Sequence, residues 1–127
     1  MMNLKNLFTA SALVMFSLGL GLVLAPGPLM AARTGSTPDV LIVHVARQFG
    51  VAMLAAGVIS WLARGASDST ARNAIISGFC LLFILLPIET SLSIWRGSES
   101  AQGFILVVIF GLLAAGFILI GKPRFKL

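Results

Sequence analysis

A chain of 127 residues that is 58% hydrophobic and only 10% charged, with a mean hydropathy of +1.04, lies outside the range of soluble domains. Its net charge of +5 does not signal a nucleic-acid partner, because the basic residues stand singly or in a short tail beside apolar runs, as orientation signals do. One cysteine, Cys80, leaves no intrachain disulfide, and one histidine far from it gives no self-contained zinc or paired-histidine haem site, so no cofactor is expected.

Four apolar runs, each near the roughly 20 residues that cross about 30 Å of hydrocarbon, fill most of the chain. The polar-in, polar-out alternation of a membrane barrel is absent from them. They predict an all-α fold: a single integral membrane domain over residues 1–127, built as an antiparallel four-helix bundle with spans at about 7–24, 40–63, 73–94 and 102–120.

The first span, Leu7 to Leu24, carries no charge and follows Lys5, an opening that a signal peptide shares. Its apolar core is longer than a signal peptide needs, and Leu29-Met30-Ala31-Ala32 lacks a small residue where cleavage requires one, so a retained helix is expected. Ala25-Pro26-Gly27-Pro28 should end that helix, since proline removes donors and glycine relaxes the backbone. The following stretch to Pro38, with Arg33, Thr34, Gly35, Ser36 and Thr37, reads as a surface loop. Asp39 then suits the exposed amides at the start of the second span.

That second span, Val40 to Ala63, places an arginine, a glutamine and the sole histidine inside apolar sequence. Ionisable groups are costly there, so they need a partner or a purpose. At 100° per residue, His44, Arg47, Gln48 and Val51 share one side, while Ala46, Gly50, Met53 and Gly57 fall almost opposite. The small residues of the second row suit close approach by another helix backbone. Both sides are therefore expected to be packed, leaving Val45, Phe49, Ala52, Ala56 and Ile59 for lipid and Trp61 as an interfacial anchor.

A short polar turn, Arg64 to Arg72, should make the second and third spans antiparallel neighbours. Pro87 interrupts the third and predicts a kink, and Cys80 within it reads as a packing residue. Trp95 and Arg96 mark its far end, and Gly97 to Ala101 turns the chain back. The fourth span is uncharged, with Gly111 and Ala115 as a second pair of small residues at the spacing of helix–helix seams. Lys5, Arg64, Arg72, Lys122, Arg124 and Lys126 then stand on one side against Arg33 and Arg96 on the other, which predicts both termini on the cytoplasmic side of a bacterial inner membrane.

Arg47 sits seven residues into its span, roughly 10 Å deep at 1.5 Å per residue. Glu89 sits six residues from the end of the next span at Trp95, roughly 9 Å deep by the same rise. The matched depth predicts an ion pair, with Arg96 as a rival partner for Glu89 and Ser93 between them. Two readings of the cluster His44, Arg47, Gln48, Glu89 and Thr90 stay open. One is a clamp that sets the rotation and register of two helices. The other is a pocket toward the outer leaflet for a quinone-like or anionic ligand, or a proton pathway. His44 has Asp39 nearby but no nucleophile placed to complete a hydrolytic set, and no strand precedes a glycine-rich phosphate loop, so an enzyme is not expected.

A helix ending in proline, then Val45-Ala46-Arg47-Gln48-Phe49-Gly50-Val51-Ala52-Met53-Leu54, Trp61-Leu62-Ala63-Arg64 and Ala71-Arg72, resembles small bacterial four-helix membrane proteins grouped with the DoxX-like proteins. The likeness covers nearly the whole chain in layout, and Arg47, Gly50, Trp61, Arg64 and Arg72 are its specific residues. DoxX is a membrane subunit of thiosulfate and quinone redox complexes, so the resemblance implies an accessory or quinone-related role. The expected partners are the lipid bilayer and either further copies of the chain or a larger membrane complex.

Overall fold

The structure, a computed structural model, describes residues 3–123, and all its regular elements are helical. They are α1 (Leu4–Leu24), α2 (Pro26–Thr34), α3 (Val40–Ala63), α4 (Thr70–Trp95) and α5 (Gly103–Gly116), the last running on through a wider five-residue turn, Phe117–Gly121. The four helical stretches Leu4–Leu24, Val40–Ala63, Thr70–Trp95 and Gly103–Gly121 are long and apolar enough to cross a membrane. Arg124 and Lys126 of the basic tail lie outside the described residues.

Short polar side chains start three of these helices by accepting from the free amides of the first turn. Asn3 accepts from the Asn6 amide at 2.9 Å, Asp39 from Leu41 at 2.8 Å and Ser69 from Arg72 at 3.2 Å.

The stretch after α1 corrects the sequence expectation of a loop, because Pro26 to Thr34 forms a helix. Pro26 and Pro28 do end α1, yet both then occupy the first turn of α2, where the missing amide has no helical acceptor and the fixed φ already suits a helix. Gly35 closes α2 at φ 72°, a left-handed conformation that glycine adopts without a Cβ penalty, and its amide reaches the Ala31 carbonyl at 2.8 Å.

α1 packs mainly on α3, and α4 mainly on α5. The first pair meets in opposite chain order: Ser11 touches Ser60, Phe16 covers Gly57, and Gly19 faces Gly50. Gly50 and Gly19 bring the two backbones so close that a Cβ at either would lie 2.9 Å from the other's carbonyl oxygen. The small-residue row of α3 therefore forms the seam, as its spacing predicts: Ala46, Gly50, Met53 and Gly57 are all buried. Lower on the same seam the fully buried Ser11 and Ser60 hydroxyls meet, both within bonding distance of the Phe8 carbonyl, at 3.1 and 2.9 Å.

Aromatic rings hold the second pair together and join it to α1. Phe117 lies 5.8 Å from Phe79 and 5.7 Å from Phe83 in stacked pairs, and meets Phe8 edge-on at 5.4 Å. Phe83 also stacks on Phe110 at 5.9 Å. Phe8, Phe83 and Phe117 are wholly buried, with Cys80 beside them as a packing residue.

One further expectation is corrected. α3 and α4 touch only slightly, although a short turn joins them, because a turn brings helix ends together without deciding which faces match. A methyl group added at Gly111 would meet nothing within 4 Å, and Ala115 is exposed, so that pair makes no seam within the chain; Ala114 and Gly116 pack inward instead. α4 continues as one helix through Pro87, where the Ser91 hydroxyl donates to the Pro87 carbonyl at 2.7 Å.

Candidate functional site

All five helices contribute to a half-open cleft of about 450 Å³. Its floor is apolar: Leu18 and Leu22 of α1, Met53 of α3, Leu86 of α4, and Leu106 and Phe110 of α5. Phe49, whose position on α3 suggests lipid contact, forms another wall. α2 covers one end with Leu29, Ala32 and Arg33, so the helix that the prolines conceal is part of the site. At that end stand the polar groups Arg33, Glu89, Thr90 and Gln102.

An ion pair that the sequence does not announce holds this end in shape. The Arg33 guanidinium pairs with the Glu99 carboxylate, Nε donating to Oε1 at 2.6 Å. Ser100 donates from its hydroxyl to the Ala32 carbonyl at 3.0 Å and from its amide to the Arg33 carbonyl. The connection between α4 and α5 is thereby fastened to the C-terminal turn of α2. Glu99 is nearly buried, its side chain 7% exposed against 31% for Arg33, and its carboxylate also packs on Gly103. The two residues are 66 positions apart in sequence and lie in segments that read as turns, so neither periodicity nor spacing marks them as a pair.

The expected cluster is divided. Glu89 and Thr90 line the cleft, Thr90 almost fully buried. His44, Arg47 and Gln48 are exposed on α3, on the side away from its buried row Ala46, Gly50 and Met53. The Arg47 to Glu89 ion pair is not formed: the salt bridge among the described residues is that of Arg33 with Glu99. Glu89 does not meet Arg96 either, but accepts from the Ser93 hydroxyl at 2.7 Å. Equal depth fixes height along the helix axes and says nothing of direction, and the α1–α3 seam turns Arg47 outward. Among the described residues, one face of α3 is packed within the chain, not two. At the other end of α3, Arg64 lies over the Trp61 ring at 3.4 Å, a cation–π contact.

A family model described as Domain of unknown function (DUF8292) matches residues 9–124. No curated protein and no solved structure matches the chain.

Proposed function

The chain belongs to the DUF8292 family, and we propose that it is an antiparallel four-helix protein of the bacterial inner membrane that serves as an interaction subunit of a larger membrane assembly. The observation that carries this reading is the outward face of α3, where His44, Arg47 and Gln48 are exposed at the depth of the apolar spans. An arginine at the centre of a membrane helix costs about 2.5 to 3.5 kcal/mol on insertion scales, and less at the shallower position of Arg47, and a carboxylate or backbone carbonyl on a neighbouring helix offsets that cost. The chain's own seam is on the opposite side of α3, so the complement comes from another chain. The likeness of Val45 to Leu54 and Trp61 to Arg64 to DoxX-like proteins supports the same accessory role. The excess of Lys5, Arg64, Arg72 and Lys122 over Arg33 and Arg96 supports cytoplasmic termini, with the cleft toward the outer leaflet.

Purification in a mild detergent tests the assembly. The wild-type chain should run as a species larger than its 13.4 kDa monomer, and Arg47→Leu should release the monomer while keeping its helical content. A wild-type monomer indistinguishable from Arg47→Leu would overturn the reading and leave Arg47 reaching the headgroup region by itself.

A further inference from the structure

The cleft carries one unbalanced charge. Arg33 of α2 is neutralised by Glu99, and the basic groups in the first half of α3, His44 and Arg47, lie on the far side of that helix. Glu89 has no cationic partner among the described residues, and its carboxylate is held by Ser93 through one oxygen, leaving the second unengaged. Beside it Thr90 is almost fully buried, 3% exposed. Below these groups the walls are hydrocarbon and two aromatic rings, Phe49 and Phe110.

We propose that this cleft is a binding site for a lipophilic cation, an ammonium-like or phosphonium-like group carried on an apolar body, with Glu89 as the counter-charge. Four features converge on that class. The volume of about 450 Å³ suits one small ligand. The apolar floor accepts a hydrophobic body, while aromatic faces attract a cation. A lone carboxylate repels anions, so the anionic ligand that the sequence suggests would need His44 and Arg47 in the site, where they are not. Gln102 and Thr90 add neutral hydrogen-bonding groups at the same end for a head that bears N–H or O–H donors. The site does not depend on the assembly proposed above, because all its walls belong to one chain.

Two sources share this chemistry, a free lipophilic cation and the ammonium head of a membrane lipid. Tetraphenylphosphonium binding to the full chain in lipid nanodiscs tests the site and separates the sources. In nanodiscs of phosphatidylglycerol, saturable binding at one site per chain is expected, and Glu89→Gln should weaken it about ten-fold or more. Glu89→Asp, which keeps the charge, should retain most of the affinity, and Leu106→Trp, which fills the floor and leaves the charge, should abolish it. These two variants keep the test decisive if Glu89→Gln folds poorly. Adding phosphatidylethanolamine should weaken the probe's binding if a lipid head is the natural occupant and leave it unchanged if the occupant is a free cation; both results uphold a cation site. No saturable binding by the wild type, or equal affinity in wild type and Glu89→Gln, would overturn the proposal and make the cleft a groove for lipid tails.

Discussion

Replacing Gly50 with valine is expected to destabilise the protein by about 3 kcal/mol, the upper end of what overpacking costs, because the added atoms meet atoms that cannot yield. A Cβ at this position would stand 2.8 Å from the Cβ of Leu22, 2.9 Å from the carbonyl oxygen of Gly19 and 3.0 Å from Val23. Two of these contacts are backbone or the root of a side chain, so relief requires α1 and α3 to move apart. Doing so also pulls at the Ser11, Ser60 and Phe8 contact lower on the seam. Gly111→Ala is the matched control, since nothing lies within 4 Å of its added methyl. It should be neutral or stabilising by up to about 1 kcal/mol, the usual gain from removing glycine inside a helix. Unfolding of both variants by a denaturing detergent in mixed micelles measures the difference, and equal midpoints would contradict the seam.

Breaking the Arg33 to Glu99 pair should have the second-largest effect, and the two single replacements should differ. Arg33→Met leaves a carboxylate whose side chain is 7% exposed without its partner, at a cost of about 3 kcal/mol, the lower end for uncompensated buried charges. Glu99→Leu leaves an arginine that is 31% exposed and that water or lipid headgroups can reach, so about 1 to 2 kcal/mol is expected. The double variant, with apolar groups in both places, should recover much of the loss, as replaced buried pairs often do. The same unfolding assay on the three variants reads the coupling. Strict additivity, with no recovery in the double variant, would show that the two side chains do not act as a unit.

What the sequence discloses and what it hides follow from the kind of information each feature carries. α3 is legible from Asp39 to Ala63 because a capping carboxylate, an uninterrupted apolar run and a polar turn all speak locally. Its seam is legible too, since Ala46, Gly50, Met53 and Gly57 fall on one side at helical spacing. Periodicity states which residues share a face and leaves open what that face meets. His44, Arg47 and Gln48 therefore read equally well as packed against α4 or turned outward, and the seam with α1 decides for the second. α2 is hidden because Pro26 and Pro28 signal the end of one helix and the first turn of another with the same chemistry. The aromatic cluster of Phe8, Phe79, Phe83, Phe110 and Phe117 leaves no signal either: in spans that are apolar on every side, no contrast marks the inner face. At the polar end of the cleft, Glu89 and Thr90 are legible as polar groups inside an apolar span. Arg33 and its clasp with Glu99 depend on two distant turns meeting, which composition does not encode.

The outward polar face of α3 is the feature on which the interaction role stands, and photo-cross-linking in intact membranes examines it whatever the identity of the partner. A photoreactive phenylalanine analogue placed at Gln48 or at Val51, both exposed on that face, should give a discrete protein adduct of one size. The same group at Leu112 of α5, which is 68% exposed and carries no polar neighbours on its helix, should label lipid alone. Lipid labelling at all three positions would contradict the interaction role of α3.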